Sequence, residues 1–390
     1  MQPDRKLRMG MVGGGQGSFI GAVHRIAAAL DQQIDLTAGV FSRDEANSRA
    51  TAARLHIDPA RAYSSYAQMA AAEAALPADQ RIDFASIVTP NNAHFGPAKT
   101  FLEAGIHVVC DKPLCLTLTE AEELVGIVDR SKLIFALTHN YTGHPMVRHA
   151  RHLFRTGQMG TVRKVLVEYL QDWLMTPQEK LGSKQASWRT NPAESGIGGA
   201  LGDIGTHALN LVEYVTGDPV ASLCADTSIF LPDRRLDEDV NALLRFQGGG
   251  KGVLTVSQVA CGEENNLRLR VYGSEGAISW EQENPNYLHL YRHGQPRQTL
   301  SRGNAGYLSP EATAATRIPT GHPEGYLEAF ANIYVDAAEA IRRYVAGNPM
   351  TPAEYRFPTV HDGLRGMQFI YTAVESAEKG AVWVPMPSKS

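Results

Sequence analysis

Between residues 7 and 137 short apolar runs alternate with amphipathic stretches, and this rhythm narrows the folds open to the chain more than any other feature. Residues 7–12, 36–41, 84–88, 107–110 and 134–137 read as strands; residues 20–30, 44–55, 93–104 and 119–130 read as helices. Thr119 is the expected cap of the last helix, with Glu122 three residues on as its capping-box partner. Strands of four to six residues separated by helices of about a dozen are the pattern of βαβ units and a parallel sheet.

After about His139 the texture changes. A helix at 144–156 is followed by strand-like stretches at 162–170, 220–230, 240–246, 252–259, 267–272, 277–280 and 287–291. Several are joined by turn signals such as Gly248-Gly249-Gly250 and Gly273-Ser274-Glu275-Gly276, so an antiparallel sheet and an α+β domain are expected. Further helices are expected at 199–215, 323–345 and 360–378, and 301–321 reads as a long surface loop. A chain of 390 residues exceeds what one core usually serves, which gives domains at 1–141 and 142–390.

Charge and cysteine content exclude several function classes. With 37 basic and 41 acidic side chains the net charge is -4, so no electrostatic footprint for nucleic acid or anionic lipid is expected. No apolar run approaches the ~18 residues of a membrane span. The basic start leads into glycines rather than a signal-peptide core. Cys110, Cys115, Cys224 and Cys261 form no disulfide framework and no Cys-x-x-Cys signature. A cytoplasmic, reduced protein is the expectation.

Directly after the first strand comes Gly13-Gly14-Gly15-Gln16-Gly17-Ser18-Phe19-Ile20-Gly21. Strand, glycine loop and helix N-terminus together would set free N–H groups against a pyrophosphate. The strict G-x-G-x-x-G spacing fails at Ser18, and a longer loop with Gly21 in the packing role repairs it; the alternative is a flexible turn. The second strand ends in Phe41-Ser42-Arg43-Asp44, without the acidic residue that usually binds the ribose diol of NAD. Ser42 and Arg43 suit a 2′-phosphate, favouring NADP over NAD, unless Arg43 is a solvated turn charge and Asp44 an N-cap.

Two further signals carry chemistry. Thr89-Pro90-Asn91 and Asp111-Lys112-Pro113 end successive strands, where ligands bind in such sheets, and Pro113 stiffens the turn that presents Lys112. In the helix at 199–215, Asp203 and His207 stand four apart on one face. That pair fits a metal half-site, an oriented acid/base or a helix-stabilising contact, and no third ligand cluster favours metal. His149 and His152 read as surface residues.

These pieces in this order resemble the Gfo/Idh/MocA family, which contains glucose-fructose oxidoreductase and inositol dehydrogenases. The likeness rests on the glycine-rich first turn, Thr89-Pro90-Asn91, the family's Glu-Lys-Pro motif in the form Asp111-Lys112-Pro113, and the Gly-x-x-x-Asp-x-x-x-His run from Gly199 to His207. The resemblance implies an N-terminal Rossmann dinucleotide-binding domain and a C-terminal α+β domain with a large, mainly antiparallel open sheet, often an oligomer interface. A homodimer or homotetramer is expected on that ground.

It also implies an active site between the domains, with Lys112, Asp203 and His207 as the catalytic trio; no metal is expected, since the residues offer no third ligand cluster. Gly13, Gly15, Gln16, Gly17, Ser42, Arg43, Thr89, Asn91, His94, Asp111 and Lys112 are the expected cofactor contacts. Asn140, Tyr141, Trp173, Arg189 and His322 are the candidates for a polyhydroxylated substrate. The expected activity is NAD(P)-dependent oxidation or reduction of a sugar, sugar derivative or cyclitol. Some relatives of this architecture suggest two alternatives, a cofactor-retaining glycosidase and an inactive nucleotide-binding regulator.

Overall fold

In the computed structural model, which describes residues 5–388, the first apolar run becomes β1 (Leu7–Gly13). It leads through the glycine loop to α1 (Phe19–Leu30), β2 (Ile34–Val40), α2 (Glu45–Arg54) and α3 (Tyr66–Ala75). Then follow β3 (Phe84–Val88), α4 (Phe95–Glu103), β4 (His107–Cys110), α5 (Leu118–Ser131) and β5 (Phe135–Leu137). The sheet runs β2-β1-β3-β4-β5 with every pairing parallel. A parallel bridge from Gly39 to Ala62 adds a rudimentary strand outside β2. Strand direction is forced by helical crossovers, and β3 and β4 are buried at every residue, as a sheet covered on both faces requires.

The cap of α5 lies two residues earlier than expected. The run Thr117-Leu118-Thr119-Glu120-Ala121-Glu122 spells the capping box in two overlapping registers. Thr117 with Glu120 is the one formed, and it buries Ala121, Leu124 and Ile127.

From Tyr141 a second unit begins. It contains α6 (Pro145–Arg155), β6 (Val162–Leu170), α7 (Lys184–Arg189), α8 (Pro192–Ser195), a π-helical turn at Leu201–Gly205 and α9 (Thr206–Thr216). Strands β7 (Val220–Ser228), β8 (Asp239–Phe246), β9 (Lys251–Ser257), β10 (Asn266–Gly273), β11 (Ala277–Glu281), β12 (Tyr287–Tyr291) and β13 (Gln298–Ser301) follow, then α10 (Pro310–Ala314). Two long helices, α11 (Tyr326–Val345) and α12 (Val360–Glu378), precede β14 (Val384–Pro385). The nine-stranded sheet has the order β13-β12-β11-β10-β6-β9-β8-β7-β14. Only β6 with β9 is parallel. Along β8 Val240, Ala242, Leu244 and Phe246 are buried while Asn241, Leu243 and Arg245 are exposed, the alternation of a sheet covered on one face.

The two units differ from a simple front-and-back division of the sequence. Tyr326–Leu364, placed with the second domain by the reading of the sequence, clusters with the first. Phe330, Ile333, Tyr334, Ala337 and Ile341 of α11 join Met9, Met11, Val23 and Ala27 in one core. Each large apolar side chain so buried contributes about 1.5–3 kcal/mol. A helical stripe announces that a face is covered but not which core covers it.

Three smaller expectations are corrected. The helix after Pro323 starts at Tyr326. The segment 301–321 is no mere surface loop: it holds α10, and Arg302 is buried, donating to Glu324, Asn286 and the carbonyl of Ile318. His149 is buried rather than exposed, and its Nδ1 accepts from the Ser309 amide at 3.1 Å.

Candidate active site

On the first unit the glycine loop forms a tight cradle. Gly13 has φ +89°, and a Cβ there would stand 2.9 Å from Thr89 Cγ2. Gly21 takes the packing role of a third glycine: a Cβ on it would lie 2.3 Å from Gly14 Cα, so strand and helix approach only because neither carries a side chain. Ser18 caps α1, its Oγ accepting from the Gly21 amide.

Not all the loop amides remain for a ligand. Gly15 N–H donates to Phe41 O at 2.9 Å, and Gln16 N–H donates to Asn47 Oδ1 at 2.9 Å and Thr51 Oγ1 at 3.2 Å. Gln16 therefore offers its exposed side chain rather than its amide, beside exposed Gly17 and the start of α1. Asn47 and Thr51, which shape the cradle, were missed in the sequence; their only signal is a polar i, i+4 pair on α2. The residues present fit a dinucleotide: a glycine cradle without room for side chains, capped by a helix N-terminus.

At the end of β2, Asp44 is occupied as the N-cap of α2, accepting from Ala46 N and Asn47 N. Ser42 Oγ accepts from Asp44 N at 3.1 Å, and Arg43 is exposed. No carboxylate among these residues is set aside for a ribose diol.

The loops after β3 and β4 are joined by one imidazole. His94 Nδ1 lies 2.7 Å from Pro113 O and Nε2 lies 2.8 Å from Thr89 O. His94 has no exposed surface, and its two ring nitrogens face those carbonyls. Asn91 is likewise buried, whereas Thr89 and Lys112 are partly exposed.

Behind Lys112, Asp111 Oδ1 accepts from Lys112 N at 2.9 Å and from Thr138 Oγ1 at 2.8 Å. Burial opposes its ionisation, but His24, Lys112, His94 and the Thr138 hydroxyl together hold its pKa below the ordinary carboxylate value. His24 hands Nδ1 to Tyr334 Oη at 2.8 Å, and Tyr334 Oη meets Ser86 Oγ at 2.8 Å. Asn140 closes the unit, buried, with its Nδ2 lacking a hydrogen-bond partner among the described residues.

On the second unit one polar cluster gathers most of the remaining candidates. Asp203 Oδ2 accepts from Arg189 Nε at 3.1 Å and from Gln258 Nε2 at 2.9 Å. The Arg189 guanidinium stands 4.1 Å from the Trp188 ring centre and 5.9 Å from that of Trp173. Trp173 Nε1 donates to Gln171 Oε1 at 3.1 Å, and Gln171 Nε2 donates to Asn265 Oδ1 at 2.7 Å. Asn265 Oδ1 also accepts from Tyr169 Oη, which is 2.5 Å from Tyr141 Oη. The Tyr141 and Tyr169 rings lie 4.8 and 6.2 Å from the imidazole of His207. Burial pushes the Tyr141 phenol up, so it acts as a neutral hydrogen-bonding group at ordinary pH.

The helix bearing Asp203 and His207 is not a regular α-helix. Asp203 sits in the π-helical turn and His207 at the start of α9, so ideal i, i+4 stacking does not describe the pair. His322 stays apart from the cluster, exposed and held through its carbonyl by Arg302. Tyr169, Gln171, Gln258 and Asn265 were invisible in the sequence. They meet because Leu170 pairs with Ser257 and with Asn266, a register no local pattern reveals. Among the described residues no group of His, Cys, Asp and Glu has metal-site geometry, and no helix is long and apolar enough to cross a membrane.

Residues 7–139 match an oxidoreductase family with an NAD-binding Rossmann fold, and residues 147–279 match the GFO/IDH/MocA C-terminal domain. An uncharacterized oxidoreductase of Bacillus subtilis is 33% identical over 97% of both chains. Levoglucosan dehydrogenase of Pseudarthrobacter phenanthrenivorans is 26% identical over 73% of this chain and 76% of its own. The crystal structure of an inositol dehydrogenase homologue from Azotobacter vinelandii, complexed with NADH and myo-inositol, superimposes with a TM-score of 0.91. It is 36% identical and covers 98% of each chain. The chain belongs to the GFO/IDH/MocA family of NAD(P)-dependent oxidoreductases.

Proposed function

We propose that this oxidoreductase transfers hydride between a nicotinamide and a hydroxyl-bearing carbon of a sugar, sugar derivative or cyclitol. The observation that carries the reading is the Asp203–Arg189–Trp173 cluster with His207 against Tyr141, on a chain whose first unit holds the dinucleotide fold. Carboxylate, guanidinium, amide and indole groups side by side suit a ligand with many hydroxyls and an apolar ring face, since a site built to bond hydroxyls rejects analogues lacking them. Relatives named for levoglucosan and solved with myo-inositol support that class.

Oxidising an alcohol requires removal of the hydroxyl proton while hydride leaves the same carbon, and the bound nicotinamide accepts that hydride. His207 takes the proton, a role suited to an imidazole and typically worth about 10²–10⁴-fold. Lys112 stabilises the negative charge that develops on the reacting oxygen. Asp203 orients substrate hydroxyls together with Arg189. Tyr141, Trp173 and Asn140 contribute further contacts. Gly17 and the Gln16 side chain hold the pyrophosphate, Gly13 and Gly15 leave it room to approach the main chain, Thr89 and Asp111 flank the nicotinamide end, and Ser42 with Arg43 meets the adenosine ribose. The commitment of Asp44 to a helix cap supports acceptance of NADP. The exposed Leu243 of β8 and Tyr272 of β10 support covering of the open sheet face by a second copy, as dimer or tetramer.

The test is a panel of sugars, inositols and glycosides with NAD and NADP, followed by nicotinamide absorbance. Lys112→Met and His207→Ala are each expected to slow turnover at least about a hundredfold while the cofactor still binds. Wild-type turnover in both variants would remove the mechanism. Glycoside cleavage without added cofactor would move the chain to the glycosidase reading.

A further inference from the structure

We propose that Asp237 is the positioning residue for the helical turn that carries Asp203 and His207. Asp237 Oδ1 accepts from Gly199 N–H and Oδ2 from Leu201 N–H, both at 2.7 Å. Its main-chain oxygen accepts from Ala200 N–H at 2.9 Å. One residue thus engages three successive amides at a helix start. Such amides have no partner inside the helix and are ordinarily met by a local cap. Here Ala200 precedes the π-helical turn and supplies no side-chain cap, so the cap comes from a distant loop.

The link continues inward. Gly199 O accepts from Asp203 N–H at 2.9 Å, so the clamp on Gly199 bears on the residue that meets Arg189 and Gln258. It also explains the glycine that opens the Gly-x-x-x-Asp-x-x-x-His run: a Cβ on Gly199 would stand 2.2 Å from Asp237 O. The loop bearing Asp237 is itself fixed. Arg234 pairs with Glu238 at 2.7 Å and with Glu179 at 3.1 Å, and Glu238 Oε2 accepts from Leu231 N–H. A carboxylate at a helix N-terminus is also favoured by the helix dipole.

This inference rests on the proposed roles of Asp203 and His207, and its test separates the two. Asp237→Asn keeps the volume of the side chain but replaces one acceptor oxygen with a donor. Three readouts are compared: turnover, the dissociation constant of the reduced cofactor, and amide hydrogen exchange at Leu201 and its neighbours. The expected result is a fall in turnover of about tenfold or more, as misplacement of a reacting group produces. Cofactor affinity is unchanged, and exchange at Leu201 is accelerated. A folded variant with turnover within about twofold of wild type would overturn the inference, as would lost turnover with unaltered exchange. If Asp237→Asn fails to fold, Gly199→Ala presses on the same contact from the helix side and is read identically. His207→Ala is the control. Should that variant keep its turnover, the underlying mechanism falls; should it lose turnover while Asp237→Asn does not, only the positioning role falls.

Discussion

His94 and Pro113 are joined across two loops, the imidazole Nδ1 lying 2.7 Å from the proline carbonyl while Nε2 faces Thr89 O at 2.8 Å. Both partners are acceptors, and the ring is fully buried. Burial lowers the His94 pKa, so the neutral ring carries one N–H, and His94→Ala removes the side-chain donor of one buried carbonyl, at an expected cost of about 1–3 kcal/mol. The loop that presents Lys112 would loosen as well. Turnover is expected to fall about tenfold with cofactor affinity nearly unchanged, and His94→Gln, which keeps a donor, to recover part of the loss. A steady-state analysis beside a fluorescence titration of the reduced cofactor decides it. If the damage lies in cofactor affinity instead, His94 is a binding contact and the positioning account is wrong.

Arg43 is expected to decide between the cofactors. With Asp44 tied to the start of α2, the exposed guanidinium is the charge nearest in sequence to the ribose position. Removing it by Arg43→Ala is expected to raise the KM for NADP about tenfold or more and to leave that for NAD within about twofold, the difference expected of one charge-assisted phosphate contact. Equal losses with both cofactors would exclude Arg43 as a partner of the 2′-phosphate.

Acid is expected to unfold the protein steeply, and the cause is its buried histidines. Burial pushes His24 and His107 down to about 4 and His139 and His144 to about 3. These four are neutral in the folded chain and take up protons once unfolded, from their ordinary value of 6.5 downward. Stability from this source is therefore complete above pH 6.5 and is lost as the pH falls toward 4. Asp237 acts in the opposite sense: burial raises its carboxyl to about 6, so the folded state takes up its proton first and is relieved by acid. The histidines outnumber that carboxyl, so acid between pH 6.5 and 4 is destabilising on balance. Urea midpoints measured from pH 7.5 to 4.5 test this; a flat profile would mean that the imidazoles are not buried in solution.

How much was legible in the sequence follows from the range of the forces involved. The alternation of strands and helices, the glycine loop and the Lys112-Pro113 turn are local matters of period and backbone freedom, and they were readable directly. The parallel and antiparallel halves followed from connection lengths. Gly21 as the third glycine was foreseeable because its spacing from Gly14 is fixed by one turn and one helix start.

What the chain could not announce locally was decided by packing. Thr117 rather than Thr119 caps α5, a choice between two capping-box registers that the local sequence leaves open. Helix α11 joins the first core because Phe330, Ile333 and Tyr334 find Met9 and Val23 there, a choice the helical stripe leaves open. Gln171, Gln258 and Asn265 gather around Asp203 and Tyr141 through the register of β6, β9 and β10, and Asp237 reaches Gly199 across 38 residues. Local sequence determined which elements form and where the chemistry-bearing residue types stand. Tertiary structure alone decided which of them share a hydrogen-bond network, because such networks are set by strand register and side-chain burial between segments far apart in the chain.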